Sequence, residues 1–193
     1  MAWLVAGLGN PGDPYARTRH NLGRMVAEEL AHEAGARLKK ARFLPADVAE
    51  IRVGDERVLV VASTRFMNES GTSYAGVARK QDVPPERIVA VHDELDIPPG
   101  ELRVKLGGGS AGHNGLRSLT QALRTPDYLR VRIGIGRPPG RQDPADFVLE
   151  PIGKRDEAEI AGWVDRAADA VRSLIGAGLA ATQDRFNGDA GRI

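Results

Sequence analysis

LVAGLGNPGDPYARTRHN, residues 4–21, decides the fold: an apolar run from Leu4 breaks at Gly7, Gly9 and Gly12 and closes on His20 and Asn21. Trp3 to Leu8 is too continuously apolar for an exposed edge and reads as a buried strand. Glycines at its end bring backbone close to whatever sits at the strand mouth, since they tolerate positive φ and carry no side chain. Asn10, Tyr15, Arg17, Arg19 and His20 follow at once, more convergent polar chemistry than a connector needs. Beyond them Leu22, Met25, Val26 and Leu30 recur at helical spacing, which predicts an amphipathic helix ending near Gly35. His32 lies on that helix among Glu28, Glu29 and Glu33 and reads as a solvated surface residue.

Working outward, residues 47–53 and 57–62 flank Gly54-Asp55-Glu56 as the arms of a hairpin. STRFMNESG, residues 63–71, puts Asn68 at a strand mouth, with Tyr74, Val77 and Ala78 in the next helix. Pro84-Pro85 ends that helix, and Arg87 to Val91 returns as a strand. It delivers His92, Asp93 and Glu94 to its C-terminal end, where open α/β sheets place their chemistry. Asp96 to Gly100 is a rigid turn before a strand over 101–106. GGGSAGHNG, residues 107–115, reads as a flexible gate ahead of a helix bearing Leu116, Leu119 and Leu123. Residues 130–135 alternate basic with apolar, a strand with one solvated or ligand-facing side. Residues 138–151 read as a loop with a short FVL piece, and 154–179 as the last long helix, its Ile160, Val164, Val171 and Leu174 facing the core. Strands and helices interleave without linker or repeat. The expected architecture is one three-layer α/β/α domain with a mixed, mostly parallel twisted sheet, spanning residues 1–183, followed by a polar, frayed tail over 184–193.

Composition narrows the class. A chain of 193 residues, 41% hydrophobic and 27% charged, suits one globular domain, and no apolar run approaches the ~20 residues of a membrane span. No secretory signal is legible at the N-terminus, and the chain contains no cysteine, which excludes disulfides and thiolate metal sites. Net charge is only +1, but residues 103–141 hold Arg103, Lys105, Arg117, Arg124, Arg130, Arg132, Arg137 and Arg141 against the single acid Asp127. Those residues predict a locally positive surface if they point the same way.

Gly7-x-Gly9-x-x-Gly12 matches a dinucleotide fingerprint, yet Asp13-Pro14 delays the helix to Leu22 and no second strand ends in an acid at the required distance. His20, His92, Asp93, Asp96 and His113 could gather on a metal, but no ligand spacing repeats, and neighbours on a strand diverge to opposite faces. No nucleophile elbow surrounds any serine. No cofactor and no metal are therefore expected. What remains is a histidine, a carboxylate and the carboxamides of Asn10, Asn21, Asn68 and Asn114. An imidazole near its ordinary pKa of ~6.5 takes a proton from water, a carboxylate on its other nitrogen holds the tautomer, and amides polarise a carbonyl without adding charge.

Five motifs carry a resemblance over essentially the whole chain. GLGNPGxxYxxTRHNxG at 7–23, FMNxSG at 66–71, HDELDxPxG at 92–100, KLGGGxxGHNGLRS at 105–118 and RVRIGIGRPPG at 130–140 resemble the bacterial peptidyl-tRNA hydrolase family, in that family's order. The resemblance implies a cytoplasmic, monomeric, metal-independent esterase that cleaves the ester between a peptide and the 3′-terminal ribose of tRNA. It implies His20 as general base and Asp93 as its orienting carboxylate. Asn10 and Tyr15 would meet the 3′ CCA end or its neighbourhood, while Asn68 and Asn114 would bind the peptide backbone or water near the ester. Met67 would line the floor, His113 would flank the entrance, and Lys105 with Arg132 would grip the 5′ phosphate of the acceptor stem. Two departures stand out: Ala62-Ser63-Thr64-Arg65 replaces a usual lysine-proline pair, and residues 187–193 lack the aromatic or histidine-bearing ending of many members. A non-catalytic tRNA- or RNA-binding module of the same fold, or an esterase of small acyl esters, are the competing readings.

Overall fold

Alternation along the first strand divides the interior in two. In the computed structural model, which describes residues 1–188, β1 (Trp3–Gly7) sends Leu4 and Ala6 into one core and Val5 into the other. The remaining strands are β2 (Lys39–Lys40), β3 (Ala46–Val53), β4 (Glu56–Ser63), β5 (Ile88–Glu94), β6 (Leu102–Leu106) and β7 (Leu129–Gly134). They form one sheet in the order β2-β3-β4-β1-β5-β7-β6. Its centre, β4-β1-β5-β7, is parallel, whereas the hairpin β3–β4 and the edge strands β2 and β6 pair antiparallel. A mixed sheet parallel at its centre is buried on both faces, as its apolar strands require.

One face carries α1 (Leu22–Glu33), α5 (Glu157–Ala177) and α6 (Leu179–Phe186); the other carries α2 (Gly71–Lys80) and α3 (Asn114–Leu123). The glycines closing β1 serve the protein's own packing. A Cβ on Gly7 would lie 2.5 Å from the Gly23 carbonyl oxygen, and one on Gly9 would lie 2.7 Å from Arg24 Cβ, so α1 rather than a ligand occupies that space. Gly23 completes the seat, because its own Cβ would fall 2.0 Å from the Val91 oxygen. Gly23→Ala should therefore lose about 3 kcal/mol of stability, read by urea unfolding, as expected of a substitution that forces backbone apart.

Three segments depart from the sequence reading. Residues 144–148 form a short helix, α4 (Pro144–Val148), because Asp143 caps it and Pro144 fixes its first turn. The last long helix stops at Ala177 and restarts after Gly178, whose φ of 88° breaks the run. The expected frayed tail beyond Gln183 is overturned for the residues described. Helix α6 continues to the buried Phe186. The Asn187 amide accepts the Val104 N–H at 2.7 Å and donates to the Val104 oxygen at 3.1 Å, pairing with the open edge of β6 as a strand would. The rest of that expectation, residues 189–193, lies outside the described residues.

Candidate active site

His20 sits in a 3-10 turn, Arg19–Asn21, that feeds directly into α1, and its side chain is 13% exposed. Asp93 reaches the same point from the end of β5 and is buried. His20 Nδ1 lies 3.0 Å from Asp93 Oδ2 and 3.1 Å from Oδ1. An ionised carboxylate only accepts, so Nδ1 carries the proton and Nε2 keeps the lone pair. A second histidine holds the same acid: His113 Nε2 donates to Asp93 Oδ1 at 2.9 Å. His113 can do nothing else with that nitrogen, because its Nδ1 caps α3 by accepting the N–H groups of Gly115 at 3.1 Å and Leu116 at 3.4 Å. The expected position of His113 at the entrance is thus corrected. It is buried, and it is the second partner of Asp93.

Charge follows from this geometry. Burial alone would lower the pKa of His20, but the charge of Asp93 and the hydrogen bond to it outweigh burial and raise it above the ordinary 6.5. Burial pushes the Asp93 carboxyl up, and the two imidazoles beside it with their hydrogen bonds overcome that and hold it well below the usual range. The ionised acid thereby sits between two N–H donors. His20, Asp93 and His113 each have a ligand-type atom within 4.8 Å of the others. A metal there would need the lone pair of His113 Nε2, which its role as a helix cap has committed to a proton.

The asparagines divide by task. Asn21 is a clasp: its Oδ1 accepts the Asn10 N–H at 2.8 Å and its Nδ2 donates to the Asn10 oxygen at 2.9 Å. It does not join the polar set that the sequence suggested. Asn10 Oδ1 in turn accepts the Met67 N–H at 2.7 Å, which ties the glycine turn to the 3-10 turn Met67–Glu69 and leaves the Asn10 amide hydrogens to donate elsewhere. Asn68 and Asn114 are exposed, each beside an anchored neighbour, Met67 and His113. Those neighbours meet at Gly115, where a Cβ would lie 2.5 Å from Met67 Sδ and 3.0 Å from His113 Cε1. Asn68 and Asn114 thus each adjoin in sequence a residue of that contact, while Asn68 itself lines a groove with Leu44, Pro45 and Arg65. Tyr15 packs edge-on to the exposed Phe66, ring centroids 5.9 Å apart. The unusual Ala62–Arg65 segment is a closed turn, with Ser63 Oγ accepting the Arg65 N–H at 2.9 Å, and Arg65 is exposed.

The basic stretch also divides. Arg103 pairs with Glu101 and Arg137 with Asp96, while Arg117, Arg124 and Arg141 are exposed. Arg130 is buried, against the expectation of a surface charge. It donates to the carbonyls of Gly109 at 2.6 Å, Gly108 at 2.7 Å and Pro126 at 3.2 Å, so the segment that read as a flexible gate is pinned across the sheet. Nothing local announces this, apart from three glycines whose carbonyls lack side chains to serve them. Lys105 and Arg132 have no ion pair among the described residues and line a cavity of about 180 Å³. Burial lowers the pKa of Lys105, and the neighbouring Arg132 and Arg130 lower it further; burial likewise lowers that of Arg132, in each case against the opposing pull of the Glu94 carboxylate in the same cavity. Cations crowded in this way favour an anion between them.

Comparison with known proteins bears on this arrangement. The family model described as peptidyl-tRNA hydrolase matches residues 4–192. A peptidyl-tRNA hydrolase of Nocardia farcinica is 51% identical over 184 residues, covering 95% of each chain. One from Frankia casuarinae is 52% identical over 185 residues, covering 96% of this chain and 93% of the other. Among solved structures, the peptidyl-tRNA hydrolase of Acinetobacter baumannii superposes with a TM-score of 0.88 at 34% identity, over 96% of this chain and 94% of its own.

Proposed function

The chain belongs to the peptidyl-tRNA hydrolase family and cleaves peptidyl-tRNA, and from that premise we propose that His20 is its general base, steadied by Asp93. The observation that carries this is the His20 Nδ1 to Asp93 contact of 3.0 Å, which leaves Nε2 as a lone pair at the accessible end of the ring. Nε2 takes a proton from water, and the water oxygen attacks the carbonyl carbon of the ester joining the peptide to the 3′-terminal ribose. The tetrahedral intermediate then expels the ribose oxygen, which recovers the proton from His20. Amide donors of Asn68 and Asn114 hold the peptide backbone or the attacking water, and those of Asn10 meet the terminal adenosine. Tyr15 and Met67 line the approach, and His113 keeps Asp93 in place. An ester is activated enough for attack by histidine-assisted water, so the chemistry needs neither a covalent nucleophile nor a metal.

Lys105 and Arg132 grip the 5′ phosphate of the acceptor stem. Phosphate contacts give affinity without sequence readout, which suits an enzyme that accepts many tRNAs. The site draws every group from one chain, which fits a monomer, and its substrate is made in the cytoplasm; no helix among the described residues is long and apolar enough to cross a membrane. A close His20–Asp93 couple is required only for turnover, which favours an enzyme over a binding module.

After EDTA treatment the purified protein should still release peptide from an N-blocked aminoacyl-tRNA, and much faster than it hydrolyses a free aminoacyl ester. Activity that returns only with added zinc would overturn the mechanism, and equal rates on both substrates would favour the small-ester reading. Lys105→Ala and Arg132→Ala should each raise KM about tenfold, with kcat changed less, and should each lower the slope of log K against log salt by about one. Filter binding across a salt series measures that slope.

A further inference from the structure

His92 is a buried histidine for which the mechanism above has no use. It neighbours Asp93 on β5 but faces the other way, into the cavity lined by Glu94, Lys105, Arg130 and Arg132. Register explains the gathering: His92 is paired with Arg132 across β5 and β7, Arg130 with Lys105 across β7 and β6, and paired residues share a face. His92 Nδ1 donates to the Asp93 carbonyl oxygen at 2.8 Å, so Nε2 is an acceptor. That atom is fully buried and has no partner among the described residues. Burial, reinforced by the neighbouring His113, lowers the pKa of His92 to about 3, so the ring stays neutral at working pH. On its other side the ring stands edge-on to His113, centroids 5.1 Å apart.

We propose that His92 is a positioning residue that links occupancy of the Lys105–Arg132 cavity to the catalytic pair. The proposal rests on the reading of that cavity as the 5′-phosphate site. A neutral acceptor beside a phosphate needs a proton between them, supplied by the phosphate hydroxyl or by a water of its hydration shell. With that bond made, Nε2 is satisfied and the His92 ring is fixed. The ring bears on His113, His113 holds Asp93, and Asp93 orients His20. Contact runs unbroken from the cavity to the base, through one ring that both sites touch.

The test compares kcat and KM on one N-acetylaminoacyl-tRNA with its 5′ phosphate present or removed by phosphatase. The enzymes are the natural protein, His92→Leu, which fills the space without an acceptor, and His92→Gln, which restores a polar amide near the Nε2 position. In the natural protein, loss of the phosphate should raise KM and also lower kcat about fivefold, the worth of one hydrogen bond. In His92→Leu the effect on KM should persist while the effect on kcat falls below about twofold, and His92→Gln should recover part of it. Ratios within each protein cancel any general loss from imperfect packing. The proposal is overturned if His92→Leu keeps the full kcat ratio, if His92→Gln behaves as His92→Leu, or if the natural protein responds in KM alone; each leaves the phosphate site standing. A natural protein indifferent to the phosphate in both constants would remove the phosphate site and this proposal together.

Discussion

His20→Ala should lower kcat on peptidyl-tRNA by about a thousandfold, with KM changed little, while the protein unfolds at nearly the same urea concentration. The asymmetry follows from position. His20 lies on a surface turn, 13% exposed, and its one side-chain hydrogen-bond partner among the described residues is Asp93, which His113 continues to hold. Removing the imidazole therefore spares the core and takes away only the group proposed to accept a proton from water. A loss of less than tenfold would mean that another base does the work. A collapse of stability would mean that the site is a packing element.

Asp93→Asn is expected to cost as much for a different reason. The carboxylate accepts from two N–H groups, those of His20 and His113. An amide offers one oxygen and one NH2 group, so it can serve one histidine and must present hydrogens to the other. His113 is locked as a donor at Nε2 by its cap on α3, so it takes the oxygen, and His20 faces the NH2 group. His20 then turns its lone pair to Nδ1 and carries its proton on Nε2, which disables it as a base. Activity should fall about a thousandfold or more. The pH profile supplies the sign. In the natural protein His20 must be neutral to act, so kcat/KM should rise through an apparent pKa above 6.5 and then level. Without the Asp93 charge only burial acts on the ring, so the residual activity of Asp93→Asn should rise through a pKa below 6.5. The same contact bears on folding. A pKa raised in the folded state gives stability that is whole below pH ~6.5 and fades as pH climbs through the folded value.

Local patterns made much of this legible. The glycine-broken strand at Leu4–Gly12, the spacing of Leu22 to Leu30 and the hairpin about Gly54 each declare an element within a dozen residues. The delivery of His92 and Asp93 to a strand end was legible for the same reason. The sequence also suggested a histidine–carboxylate pair, and His20 and Asp93, 73 positions apart, do meet. What escaped reading depends on contacts between distant segments. Arg130 alternates like Arg132, yet a glycine loop crossing above it turns one of the pair inward. Asn21 resembles Asn10 in type and neighbourhood, and only the folded turn shows that one clasps the other. His113 is an uncommon helix cap, so its position just before α3 gave little notice of its tautomer. The Asp143-Pro144 start of α4 was a readable signal for a helix too short to show periodicity.

The most direct test of the central claim is a nitrogen-15 NMR titration of His20 from about pH 5 to about pH 9. A ring that titrates above 6.5 and, on the alkaline side of that titration, keeps its proton on Nδ1 and leaves Nε2 bare is the predicted result. A ring carrying its proton on Nε2, or one that titrates below 6.5, would contradict it.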